Sequence, residues 1–137
     1  MDAIAREICL LARSATLVEA LEAQSLLRKV AGIHGADWVA YRWWEYLSVS
    51  SSLAYGQDLE VWKQGITDLL DGMGQGAVYV AVTDDEGAPW PVVRIEEPAC
   101  IVGVLQDMQF FEYFVFSVDC SRIFFDTHHN ALVASFR

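Results

Sequence analysis

The sequence predicts an α+β fold: one domain over residues 1–137, with an antiparallel or mixed sheet of five to six strands packed by N-terminal helices. Three observations carry that prediction. Residues 110–136 fall into three aromatic and β-branched runs separated by polar corners, a composition that fits pleated strands and fills helices poorly. Residues 2–30 instead place apolar side chains at helical spacing. Between them, residues 77–95 read as two short runs around Asp84-Asp85-Glu86-Gly87, the pattern of a hairpin. With 54% hydrophobic and 20% charged residues, a chain of 137 residues can bury about 68% of its unfolded surface around one core.

Taken in order, Asp2–Ala12 carries Ile4, Ile8 and Leu11 along one stripe and predicts a first helix. Thr16 and Glu19 match a capping box, in which two side chains satisfy orphan amides at a helix start. A second helix is therefore expected over Leu17–Val30, stopped near Gly32 and Gly35. Trp38–Tyr46 holds five aromatics in nine residues. A short strand around Arg42–Leu47 with core-packed rings is expected there, followed by a serine-rich loop over Ser48–Gln57. Asp58 is a good N-cap for a helix whose Trp62, Ile66 and Leu69 repeat up to Gly72. The glycines from Gly72 to Gly76 follow a helix, precede a strand and lack the lysine of a phosphate loop, so they form a connector. Ala77–Thr83 and Trp90–Ile95 make the hairpin, and Pro89 and Pro91 set its second strand at a sheet edge or mark its start. Glu96-Glu97-Pro98 opens a helix over Pro98–Met108, although Gly103 and the neighbouring valines also admit a strand. Phe110–Val118, Arg122–Asp126 and Ala131–Phe136 form a C-terminal three-strand meander. Its first strand alternates Phe110, Phe114 and Phe116 with Phe111, Tyr113 and Val115, so both faces need cover.

Charge narrows the range of functions. The net charge is −10, and it is uneven: residues 1–57 hold six acids and five bases, whereas residues 58–137 hold thirteen acids and four bases. Phosphate backbones repel such a surface, which argues against nucleic acid. A standing negative field instead suits a basic protein partner, drawn in by long-range attraction. The acidic corner Asp84-Asp85-Glu86 and the pair Glu96-Glu97 are the candidate contacts. No stretch approaches the roughly 20 apolar residues of a membrane span. With acids near the N-terminus and three dispersed cysteines, the expectation is a reduced, cytoplasmic protein with no membrane attachment.

Four residues near the C-terminus invite a chemical role: Glu112, Asp126, His128 and His129. Together they define a second reading, a small enzyme or ligand-binding protein with a pocket at those side chains. Glu112 stands inside an aromatic strand and needs a partner if buried, and Arg122 across the hairpin is the expected one. His128 and His129 are adjacent, so in extended chain they point to opposite faces and do not ligate one metal. No metal or cofactor is expected. No G-x-S-x-G elbow is present and Cys120 has no activating base beside it in sequence, so catalysis is the less favoured reading.

Phe111-Glu112-Tyr113, followed by an apolar hairpin ending in Phe124-Phe125-Asp126-Thr127-His128-His129-Asn130, resembles a family of short bacterial proteins of unassigned function. Their C-terminal halves share a Phe-Glu-Tyr and His-His-Asn pattern. The resemblance covers residues 77–136 and is similar in kind to immunity proteins, which protect a toxin producer from its own toxin. It implies an antidote that binds a basic toxin domain through the acidic C-terminal half, and it supplies no catalytic residue.

Overall fold

A computed structural model describes residues 2–36, 42–45, 47, 49–84, 87 and 89–137. The described residues form four α-helices, α1 (Asp2–Leu11), α2 (Ala20–His34), α3 (Leu59–Asp71) and α4 (Ile101–Gln106). They also form seven strands: β1 (Ala15–Leu17), β2 (Ser51–Ala54), β3 (Val78–Val82), β4 (Val92–Ile95), β5 (Tyr113–Ser117), β6 (Arg122–Asp126) and β7 (Ala131–Phe136). All seven join one sheet in the order β1-β4-β3-β5-β6-β7-β2, and every neighbouring pair is antiparallel. The α+β class, the β3–β4 hairpin and the β5–β6–β7 meander agree with the sequence reading, and the strand count exceeds the expected five to six.

The two strands that the sequence reading did not place, β1 and β2, have a common cause. β1 and β2 are short, lie at the two sheet edges and are mostly exposed, so neither carries the alternating apolar signal of a half-buried strand. β1 occupies the site of the expected capping box. Thr16 pairs with Arg94 in the sheet, and Glu19 caps α2 instead, its carboxylate accepting from the amides of Leu21 and Glu22 at 3.1 and 3.2 Å. A carboxylate beside those free amides also meets the positive end of the helix dipole. β2 lies within the expected loop, because pairing with β7 supplies the backbone partners that its serines do not announce. The strand expected around Arg42–Leu47 is instead a 3₁₀ turn at Trp43–Glu45, and Trp38 and Tyr41 lie outside the described residues. β4 starts just after Pro91 and is an inner strand, because β1 covers the side that the prolines had marked as an edge. Pro98 opens a 3₁₀ turn that runs into the short α4, which settles the helix–strand alternative there.

Both faces of the sheet are covered. On one face α1, α3 and α4 bring Ile8, Ile66, Ile101 and Val104 against Val80, Ile95, Val115 and Phe124. The buried stripe is Ala5 and Ile8 of α1 with Ala12 just beyond it, and the expected Leu11 is exposed. On the other face α2 and the 3₁₀ turn bring Leu27, Val30 and Trp43 against Tyr79, Phe114, Phe116 and Phe125. Strand alternation thus splits β5 between two cores, as its doubly apolar sequence requires. Beneath the end of α2, His34 is fully buried, with Nε2 2.8 Å from the Cys120 carbonyl and Nδ1 2.9 Å from the Ser135 hydroxyl. A carbonyl only accepts, so Nε2 carries the proton and Nδ1 accepts from Ser135. No helix among the described residues is long and apolar enough to cross a membrane.

Candidate functional site

The register divides the acidic side chains between two ends of the sheet. Val82 pairs with Tyr113 and Tyr113 with Asp126, so Asp84, Glu112, Asp126 and the His128–Asn130 turn all lie at one end. β2 runs to the same end, where the Tyr55 amide donates to the Asn130 carbonyl at 3.0 Å. Glu96 and Glu97 follow β4 at the opposite end, where Glu96 pairs with Arg94 at 2.7 Å and the Glu97 amide donates to the Ser14 hydroxyl at 3.2 Å. The two acidic groups singled out in the sequence therefore do not share a face. Asp85 and Glu86 lie outside the described residues.

Arg122 also belongs to the far end. Ile123 pairs with Phe116, so Arg122 sits by the β5–β6 turn, about a strand length from Glu112. Its guanidinium donates to the Gly72 carbonyl and lies over the Phe136 ring. The expected Glu112–Arg122 pair is thus replaced by Glu112 with His128, whose Nδ1 is 3.1 Å from Oε1. Glu112 precedes β5 rather than standing within it.

The histidines depart from expectation as well. Residues 128–130 form a turn, with Asn130 in the left-handed region at φ 55°, a conformation asparagine tolerates well. In a turn, successive side chains need not alternate. The rings of His128 and His129 lie side by side, 4.0 Å between centroids, and both meet Trp44 edge-on at 5.6 and 5.5 Å. Among the described residues no three His, Cys, Asp or Glu side chains gather as a metal site would require.

Asp126 holds the centre of this end. It is the last residue of β6 and only 2% exposed. Its Oδ1 accepts from the Tyr55 hydroxyl at 2.5 Å, and Oδ2 accepts from Trp62 Nε1 at 2.8 Å and from the Tyr113 hydroxyl at 2.9 Å. Each donor comes from a different element. Tyr113 opens β5 directly opposite Asp126, and Tyr55 follows β2. Trp62 lies in the first turn of α3, which Asp58 caps by accepting from the amides of Glu60 and Val61. Gly65, one turn further on, lets α3 press onto the sheet. A methyl group there would meet side-chain carbons of Leu132 and Leu53 at 2.7 and 2.8 Å.

The same residues wall a cleft of about 430 Å³ between the start of α3 and the segment from Leu105 to Phe111. Its sides are Tyr55, Trp62, Phe110, Phe111 and Tyr113, with Asp126 among them. Among the described residues its lining holds two carboxylates, Asp58 and Asp126, and no basic side chain. Burial beside the Asp126 carboxylate pushes both the Tyr55 and Tyr113 hydroxyls well above the usual tyrosine range, because a second negative charge is disfavoured there. Among the described residues, a hollow of about 550 Å³ between the end of α3 and Pro98 has Asp71 as its one ionisable lining residue and no aromatic wall.

Of the sequence candidates, the structure brings Asp126 into the cleft; Glu112, His128 and His129 lie at the same sheet end but outside the cleft's lining, the histidines against Trp44 and Glu112 paired with His128. Sequence reasoning missed Tyr55, Trp62 and Tyr113, which read as an isolated loop tyrosine, a helix stripe position and a core strand residue. The usable signal was the carboxylate ending an apolar strand, since a buried acid must recruit donors. Comparisons with protein-family models, curated proteins and solved structures give no significant match.

Proposed function

We propose that the protein is a non-catalytic interaction protein of the immunity type, an antidote that binds a basic toxin domain. One observation supports this reading above others: an aromatic cleft bearing two carboxylates and, among its described lining, no basic residue, at the sheet end that also carries Asp84 and Glu112. Such a surface attracts cations at long range and offers aromatic anchors at short range. Asp126 is poorly suited to proton abstraction, since three fixed donors occupy most of its acceptor sites. The docking end on this reading is the Asp84–Asp126 end, with Glu96 and Glu97 outside it.

The test is capture of partners by the tagged chain at low salt, rate measurements on what binds, and rescue of growth inhibited by that partner. The expected partner is basic, growth is rescued, and association slows steeply with salt because screening acts over about 8 Å at physiological ionic strength. Asp58→Lys and Asp84→Lys should slow association, whereas Glu96→Lys and Glu97→Lys should leave it nearly unchanged. Acidic partners only, or rates indifferent to salt and to all four reversals, would remove the support for this reading.

A second reading, a small enzyme or ligand-binding protein, draws on the Glu112–His128 pair. A carboxylate 3.1 Å from an imidazole nitrogen can orient the ring for general base work. Its check is a hydrolytic activity that His128→Gln and Glu112→Gln abolish together.

A further inference from the structure

The arrangement around Asp126 says more than that the cleft is acidic. Among the described residues its three side-chain partners are all aromatic, each turning its one polar atom to the carboxylate. The polar handles are thereby consumed, and the rings of Tyr55, Trp62 and Tyr113 are left as walls beside Phe110 and Phe111. A phenol or indole that donates to an anion gains electron density in its ring, which strengthens the attraction of the ring face for a cation. The cleft thus joins polarised ring faces, a buried negative charge and a second carboxylate at its rim. Asp58 uses Oδ1 for its helix amides, and Oδ2 has no partner among the described residues.

We propose that this cleft seats a lysine side chain of the basic partner, its aliphatic stem against Phe110 and Phe111 and its ammonium group among the ring faces of Tyr55, Trp62 and Tyr113. The assignment rests on the interaction reading above and names its anchor. Lysine is preferred over arginine by counting acceptor positions. A carboxylate offers about four, and three at Asp126 are taken, so the two-pronged grip of a guanidinium finds no matching pair. An ammonium is a compact charge that needs one open position and is otherwise held by ring faces. Charge complementarity points the same way, since a neutral apolar occupant would bury two carboxylates with no countercharge.

The probes are Nα-acetyl-lysine amide, Nα-acetyl-arginine amide and the uncharged Nα-acetyl-norleucine amide. The readout is the indole N–H resonance of Trp62, identified by its loss in Trp62→Phe, because that proton is bonded to Asp126 within the cleft. Lysine amide should shift the resonance saturably, arginine amide should bind several-fold more weakly, and norleucine amide should leave it in place. Phe110→Ala and Asp58→Asn should each weaken lysine binding about two- to five-fold, the range of an exposed cation–π contact or a rim charge. Phe110 is exposed and asparagine keeps the helix cap, so both variants report binding in a folded protein. Equal shifts from norleucine amide would reduce the cleft to an apolar slot and overturn the proposal. A resonance silent to all three probes, with a basic protein still captured, would overturn the lysine seat and spare the interaction reading. Saturable lysine binding with no basic protein captured would uphold the ammonium site and overturn that reading instead.

Discussion

Two aromatic clusters sit on opposite faces of the same sheet, and they differ in what their rings surround. On the α2 face Phe114 is fully buried and meets Trp43, Trp90, Phe116 and Phe125 with centroids 4.9 to 5.8 Å apart. On the α3 face Tyr55, Trp62 and Tyr113 surround a carboxylate, and their rings wall an open cleft. The first cluster closes because each ring finds others to pack against. The second stays open because its rings are held by hydrogen bonds to one atom group and stand where α3 and the segment after α4 part. Aromatic content alone says nothing about which kind of cluster forms; a single acid at a strand end decides it.

The largest expected effect breaks the closed cluster. Phe114→Ala should cost about 3–5 kcal/mol, because its surroundings are jammed rings that cannot collapse into the void. Denaturant unfolding measures it, and a loss below roughly 1 kcal/mol would mean that the cluster is not the centre of that core.

The next effect tests the open cluster. Asp126→Leu strands three donors, Trp62 Nε1 and two hydroxyls, in a buried setting. With about 1–3 kcal/mol for each unsatisfied group and some relief from water in the cleft, the net cost should be about 2–4 kcal/mol. Asp126→Asn should cost clearly less. Its oxygen can serve Trp62 and Tyr113 while its amide donates to Tyr55, whose hydroxyl can rotate to accept. Equal losses in the two variants would show that charge, and not donor satisfaction, dominates the network.

How legible was this contrast in the sequence? The closed cluster was largely legible, since Phe114 and Phe116 sit in an unmistakable strand and alternation assigns them a shared face. The open cluster was not. Tyr55, Trp62, Tyr113 and Asp126 are separated by 7, 51 and 13 residues, and their meeting depends on the β2–β7 and β5–β6 registers. β2 itself was hidden, because four exposed residues at an edge carry no periodic apolar signal. The error over Arg122 has the same origin. Its place across the hairpin was foreseen, but register carried it to the wrong end. Local patterns fix element type, whereas the site depends on alignments between elements that only pairing determines.

Titration offers a gentler way to separate the two faces. His34 belongs to the α2 side, and burial pushes its imidazole below the usual value near 6.5. The unfolded chain then binds a proton that the native state resists, so stability should fall as pH drops below about 6.5. His34→Gln should flatten that slope. Tyr55 and Tyr113 act at the other extreme. Their raised values mean the native state keeps protons that the unfolded chain releases, so stability should fall as pH rises above about 10. In an ultraviolet titration Tyr55 and Tyr113 should resist ionisation until the protein unfolds, and Tyr55→Phe should remove one resistant tyrosine. An acid slope unaffected by His34→Gln, or a resistant tyrosine signal unchanged by Tyr55→Phe, would break the assignment.

The smallest expected effect is the most discriminating, because it asks whether the cleft wall is surface or core. Phe110 is 57% exposed, and Phe110→Ala removes a ring that already faces solvent on one side. No closed cavity is left behind, so the change should lie within about 0.5 kcal/mol, as for surface substitutions generally. Asp58→Asn should be equally mild, since asparagine offers the same oxygen to the amides of Glu60 and Val61 and caps a helix about as well as aspartate. Both follow from denaturation midpoints measured beside Phe114→Ala. If Phe110→Ala instead cost more than about 1.5 kcal/mol, its ring would be a packed member of the α3-side core. The cleft would then lose an outer wall free to meet a ligand, and the two aromatic clusters would differ in shape but not in kind.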